Sequence, residues 1–379
     1  MKVIVAIDSF KGSLSSREAG EAIKAGILAA DASAAVTVLP LADGGEGTVD
    51  AIVSATGGRM RTVTVCDPLG RPVDAVYGIL PSGAAVIEMA AASGMTLLSS
   101  EERDPLSATT YGVGELIADA ISQGCRRFLL GIGGSATNDG GVGMLQALGF
   151  SFVDQNGCEI PRGARGLASL AAIRMAGVMP QLGECSFTVA CDVKNPLCGA
   201  QGCSAIYGPQ KGATPETVTE MDAYLCHYAA VTRTVMPQAD PDFPGAGAAG
   251  GMGFAMLSYL GGRLVPGIEL VMAETGLETL VREADLVITG EGRLDAQSAM
   301  GKTPVGVARL AKTYNKPVVA LCGCVGDGAE ACLAQGIDAF FPILQTPCTL
   351  FEAMEREAAK QNLSRTAAQV LRLLQMNCT

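Results

Sequence analysis

The 379-residue chain has no tryptophan, a single histidine and only 4% aromatic residues. A Ser-His-Asp triad or a histidine-rich metal centre would have to rest on His227, which falls in a helical stretch over 220–232, away from every loop of interest. Positive charge is also scarce: 27 Lys and Arg face 38 Asp and Glu, a net charge of −11 with the acids spread along the chain. Nucleic acid and anionic membrane are thereby excluded as partners, since both need clustered Lys and Arg. No apolar run reaches the roughly 18 residues of a membrane-spanning helix, and no tract is polar or repetitive enough to stay disordered. Met1 leads straight into an apolar strand pattern without the features of a signal peptide, which predicts a cytoplasmic protein. The 13 cysteines are scattered, and Cys322-Gly-Cys324 fits neither a redox CxxC nor a zinc knuckle. Free thiols, mostly buried, are expected.

What is present is apolar and glycine-rich: 49% hydrophobic residues and 48 glycines. At about 150 residues per domain the length suits two domains. Residues Lys2–Ile7 form a β-branched strand pattern, followed by a helix pattern over 16–29 that Ser15 or Ser16 is placed to cap, then a strand near 36–39 and a helix from Glu46. That is βαβα, the opening of a parallel sheet. The rhythm returns near the C-terminus: strands over 285–288, 317–321 and 339–343, helices over 302–314 and 329–335, and a long final helix over 350–374. Between these flanks, short strands over 61–65, 73–79 and 85–89, separated by Gly and Pro turns, predict a meander. Further strands follow at 128–130 and 187–190. The expectation is an α/β protein: a Rossmann-like parallel-sheet domain (1–60 plus 283–379) with a second α/β domain of mixed sheet (61–282) inserted in it. A cleft between such domains is a preferred place for ligands.

Three glycine-rich, acid-bearing loops dominate: Ala42-Asp43-Gly44-Gly45-Glu46-Gly47-Thr48, the run Gly131 to Gly141, and the run Ile288 to Lys302. A strand that ends in bare backbone N–H groups and opens a helix is a ready anion site, and nearby carboxylates add metal or proton chemistry. In the third loop, Gly290 and Gly292 permit close approach to phosphate, Lys302 is placed to meet nucleotide charge, and Glu291 and Asp295 are hard oxygen donors for Mg2+. A Walker A loop would need Gly at 296, where Ala296 stands. The middle loop offers Gly133, Gly134, Ser135 and Asn138 to phosphate; Asp139 fits either that role or a helix cap. A nicotinamide dinucleotide fingerprint would need Gly at 136, which is Ala136, and this disfavours a dehydrogenase. Asp43 and Glu46 read equally as first-turn caps. In a doubly wound sheet Asp8, Asp43, Glu291 and the Gly323 turn converge at one edge. Asp192, leaving a strand with Lys194-Asn195-Pro196, is a candidate general base or the head of a turn. Without a usable histidine, this inventory suits phosphoryl transfer, in which positioning and charge neutralisation dominate. A non-catalytic sensor of a phosphorylated metabolite would use the same glycine loops, but the carboxylates oppose bare anion binding.

The segments IDSFKGS (7–13), PLADGGEGT (40–48), GIGGSATNDGG (131–141), CDVKNPL (191–197), YGPQKGA (207–213) and TGEGRLDAQSAMGKTP (289–304) together resemble the bacterial type I glycerate kinase family, in order and across essentially the whole chain. The resemblance implies transfer of the ATP γ-phosphoryl group to D-glycerate with Mg2+, giving 2-phosphoglycerate or, by the same chemistry, 3-phosphoglycerate. It also implies an active site between two α/β domains. On this reading Lys11, Asp8, Ser9, Asp43, Glu46 and Lys211 line the glycerate pocket. Asp192 accepts the hydroxyl proton, and Asp295 stands second in that role or as a magnesium ligand beside Glu291.

Overall fold

The computed structural model describes residues 1–376, which fall into two compact units. The first comprises residues 1–43, 50–56 and 268–376; the second comprises 44–49 and 57–267. The C-terminal junction lies at 268, where the sequence reading placed it at 283, because the helices Gly267–Thr275 and Leu277–Glu283 pack with the first unit. Ile268, on the first of them, lies against Gly306 of the helix Thr303–Thr313.

In chain order the strands are β1 (Lys2–Ile7), β2 (Ala35–Pro40), β3 (Arg59–Cys66), β4 (Pro72–Ile79), β5 (Ala84–Glu88), β6 (Arg127–Gly131), β7 (Ser151–Val153), β8 (Ala172–Arg174) and β9 (Ser186–Ala190). β10 (Arg263–Val265), β11 (Leu286–Leu294), β12 (Val318–Val325) and β13 (Ala339–Pro342) complete the set. The first unit carries an all-parallel sheet in the order β13-β12-β11-β1-β2. Val3, Val5, Ile7, Leu286, Ile288 and Leu321 are fully or almost fully buried, as near-continuous apolar strands must be when helices cover both faces. The chain runs outward in opposite directions from the β1–β11 pair, so that pair is the topological switch point, where open α/β sheets bind ligands. The helix Ser16–Ala30 covers one face. It opens on a capping box in which the Glu18 N–H donates to Ser15 Oγ (3.2 Å) and the Ser15 N–H to Glu18 Oε2 (3.1 Å). The final helix expected over 350–374 is two helices, Leu350–Met354 and Arg356–Gln375, since Glu355 leaves the helical conformation and caps the second one.

The second unit holds a mixed sheet in the order β10-β9-β6-β5-β4-β3. β3, β4 and β5 form the expected antiparallel meander, while β5, β6, β9 and β10 are parallel. Phe128 and Phe187 stack across β6 and β9 at 4.9 Å between ring centroids, and Tyr228 meets Phe254 edge-on at 5.4 Å. β7 and β8 form a separate ribbon. The cysteines of the described residues are free, and among those residues no helix is long and apolar enough to cross a membrane.

Candidate active site

In the first unit the carboxyl edge of the parallel sheet gathers most of the acids singled out from the sequence. Asp8 leaves β1 at the switch point, 5% exposed; its Oδ1 accepts the Ser9 N–H (2.6 Å) and its Oδ2 the Thr303 hydroxyl (3.0 Å). Burial raises its carboxyl to about 6, with the Asp43 carboxylate adding to the rise and the two hydrogen bonds opposing it. Glu291, on the neighbouring β11, is buried and accepts the Ser298 hydroxyl. Burial raises it to about 7; Ser298 and Lys302 oppose the rise, and Asp8 and Asp295 reinforce it. Asp295 is half-buried where β11 has ended, held by the Gln297 N–H (2.8 Å) and paired with the exposed Arg293 at 3.3 Å. Asp8, Ser9, Lys11, Glu291, Gly292, Asp295 and Lys302 all line one cavity of about 630 Å³ in this unit, within the usual size of a small-molecule site.

Two expectations change here. Gly290 is not a loop residue open to phosphate: β11 continues past the expected end at 288 to Leu294, and Gly290 sits inside it. Its carbonyl accepts the Asp8 N–H (3.0 Å), and a Cβ at 290 would meet the Leu321 carbonyl oxygen at 1.8 Å. Glycine is required there by strand packing rather than by a ligand. Sequence reasoning also overlooked Thr303 as the buried partner that orients Asp8. The signal was available, since Thr303 follows Lys302 directly at a strand-to-helix turn.

In the second unit the Gly131–Gly141 loop follows β6. Gly131 packs against the chain at Gly44, where a Cβ would stand 2.4 Å from the Gly44 carbonyl oxygen; that close approach accounts for its lack of a side chain. Gly133 and Gly134 are exposed, and Ser135 is buried behind them. Lys211, 2% exposed, donates to Ser135 Oγ (2.9 Å) and the Thr137 carbonyl (2.6 Å). Burial lowers its ammonium to about 8, with Cys203 and Asp139 opposing the fall. Asn138 donates to Ser204 Oγ at 2.9 Å, while its Oδ1 and the Thr137 hydroxyl are buried without a hydrogen-bond partner among the described residues. A buried cation beside unsatisfied polar atoms is an environment a polar or anionic ligand group would relieve.

Asp139 is the second: of its two readings, phosphate contact or a structural cap, its partners favour the structural one. It is completely buried, and it accepts the Thr110 N–H (2.8 Å), the Thr110 hydroxyl (2.9 Å), the Gly141 N–H (3.1 Å) and the Gly143 N–H (3.2 Å). Burial pushes its carboxyl up while these donors pull it down. Its work is to tie the Gly131–Gly141 loop to the helix Tyr111–Ser122. Asp192 is exposed beyond β9, its Oδ1 accepting the Gly267 N–H (3.0 Å). Glu46 is exposed in the Gly44–Val49 segment. Glu88, at the end of β5, was not anticipated; it accepts the Val49 N–H at 2.7 Å, and burial raises its carboxyl. The glycine-rich run over 245–253 packs against the Gly131–Gly141 loop: the Gly140 N–H donates to the Gly250 carbonyl at 2.9 Å. His227 Nε2 lies 2.6 Å from the Leu170 carbonyl oxygen.

Buried acids, lysines and exposed glycines at the carboxyl edges of parallel strands, with no histidine among them, suit an α/β enzyme of the kinase class. The sequence profile of the Glycerate kinase family matches residues 3–375. The chain is 48% identical over 375 residues to glycerate kinase of Haemophilus influenzae, covering 99% of each chain. It is 47% identical over 371 residues to glycerate 2-kinase of Escherichia coli, covering 98% of this chain and 97% of that one. A crystal structure of a protein assigned as glycerate kinase 2 from Salmonella typhimurium LT2 superposes with a TM-score of 0.90 at 46% identity, covering 100% of this chain and 99% of that one. The chain belongs to the glycerate kinase family.

Proposed function

We propose that this protein transfers the γ-phosphoryl group of ATP to D-glycerate, forming 2-phosphoglycerate. The observation that carries the reading is near-full-length identity of 47% to a glycerate 2-kinase, joined to the acid and lysine set at the switch point. Lys11, with Ser9, faces the glycerate carboxylate; Lys302 and the chain at Gly292 face nucleotide phosphate. Ser135, Lys211 and Asn138, with the exposed amides of Gly133 and Gly134, form a second, prearranged anion cradle.

The donor set fits Mg2+. Glu291 and Asp295 supply hard carboxylate oxygens, and the raised Glu291 carboxyl marks negative charge crowded into a poorly solvated place. Among the described residues no group of three His, Cys, Asp or Glu side chains stands ready to hold a metal ion. When bound, Mg2+ supplies neutralisation of phosphate charge. The chain's own part is to position and to move one proton. Asp192, oriented by the Gly267 N–H, accepts the proton of the attacking hydroxyl. A second reading gives that proton to Asp8, whose value of about 6 suits a base working near neutrality. A steady-state assay with MgATP and D-glycerate, with phosphorus NMR of the product, tests the proposal: phosphate on C2 is expected, phosphate on C3 revises the regiochemistry, and no turnover overturns the reading.

A further inference from the structure

The cavity that holds Asp8, Lys11, Glu291 and Lys302 is also lined by side chains of opposite character. It is walled by Phe10, Ile343, Leu344, Leu350, Ala353 and Met354. Phe10 and Ile343 are buried, but Leu350 is 75% exposed although it lines the cavity. The short helix that carries Leu350 and Met354 is fixed at its start by a capping box, in which Thr349 Oγ1 and Glu352 Oε2 stand 2.8 Å apart. The backbone of that turn is therefore fixed without a ligand.

One cavity lined by both charged and apolar groups calls for a ligand that carries both. D-Glycerate has three carbons, each bearing oxygen, and offers no apolar face; a nucleotide has an anionic chain at one end and a flat, weakly hydrated ring at the other. We propose that the apolar lining of Leu344, Leu350 and Met354 is the nucleobase subsite, so that the base covers Leu350 and the phosphates run toward Lys302 and Glu291. Covering an exposed leucine removes apolar surface from water, the term that anchors bases in sites without base-specific hydrogen bonds. The assignment rests on the kinase reading above, and it adds which part of the molecule receives which part of the nucleotide.

Two exposed thiols, Cys324 and Cys348, line the same cavity and serve as reporters, while the exposed Cys158 of the second unit is a control. Alkylation of the full-length protein by N-ethylmaleimide, followed by peptide mass spectrometry, should be slowed at least tenfold at Cys348 by saturating ATP or ADP. Inorganic tripolyphosphate, which lacks a base, and D-glycerate should protect it less than threefold, and Cys158 should react at one rate throughout. Unchanged Cys348 labelling under ATP overturns the subsite, as does equal protection by tripolyphosphate. As a second measurement, Leu350→Asp should raise the ATP KM at least tenfold with the glycerate KM within twofold; its side chain is largely exposed, so the fold should tolerate it. A shift in the glycerate KM alone overturns the proposal. Turnover of glycerate without protection of Cys348 refutes the subsite and leaves the kinase reading intact. Protection without turnover does the reverse.

Discussion

The two units handle a buried charge in opposite ways. In the first, Asp8 and Glu291 are acids with few donors, pushed to about 6 and 7 chiefly by burial and further by neighbouring acids. In the second, the buried acid Asp139, also raised by burial, accepts hydrogen bonds from Thr110, Gly141 and Gly143, and the buried cation Lys211 donates to the Ser135 hydroxyl and the Thr137 carbonyl. An acid satisfied on every side is a structural fastener; an acid left crowded and under-satisfied is held at a cost to the fold and is kept for chemistry. The contrast also separates two meanings of glycine. At Gly131 and Gly290 it lets backbone meet backbone, whereas Gly133 and Gly134 are exposed to solvent.

The contrast breaks most sharply under substitution of single acids. Asp192→Asn should lower turnover by about 10²- to 10⁴-fold with the fold intact, as expected for loss of a proton acceptor. A near-normal rate would pass that role to Asp8. Asp139→Ala should do the opposite: it strands several buried donors and should cost about 3 kcal/mol or more, read as a lower urea midpoint. If Asp139→Ala unfolds at the wild-type midpoint but loses nucleotide affinity, the fastener assignment fails.

Asp8→Asn sharpens the comparison through pH. The Asp8 carboxyl rises from an ordinary 3.8 to about 6 on folding, so the folded protein holds that proton more tightly than the unfolded chain does. The stability this contributes is fully present below about pH 4 and is lost as pH rises through about 6. Above that range the wild type keeps a charge buried at a penalty. The amide carries none. The variant should therefore be more stable than wild type at pH 7.5, by about 1 to 3 kcal/mol, with the gap closing toward pH 4. It should also lose activity. Thermal melts across pH decide it: a variant less stable than wild type at pH 7.5 would show that the bonds from Ser9 and Thr303 outweigh the crowding.

Much of this was legible in the sequence because it depends on local pattern. β-branched runs gave the strands, turn residues separated the meander from the parallel flanks, and glycine with acid at strand ends marked the sheet edge where Asp8 and Glu291 meet. What sequence could not separate were roles set by distant partners. Asp139 looks the same in sequence whether it faces a phosphate or the Thr110 N–H, and only the fold brings Thr110 to it. Gly290 resembled a loop glycine because the need for it comes from Leu321, on the next strand. Glu88 was passed over since an acid ending a short strand carries no signal until the Val49 N–H arrives from another part of the chain. The apolar lining of the cavity was equally hidden, being assembled from Phe10 and a segment more than 330 residues away.

The smallest effect expected, and the most specific, concerns Lys11. It is exposed, so water already screens its charge, and removing it should neither unfold the protein nor abolish turnover. Lys11→Ala should raise the glycerate KM about tenfold, equivalent to roughly 1.4 kcal/mol, while moving the ATP KM less than threefold. Lys302→Ala should show the reverse preference, since Lys302 sits beside Glu291 and is assigned to the nucleotide phosphates. The pair works as a crossed test of the charged groups in the first unit's cavity. If both variants move the same KM, Lys11 and Lys302 serve one ligand there, and the glycerate carboxylate must find its cation elsewhere; the buried Lys211, next to Ser135, is then the lysine left to meet it.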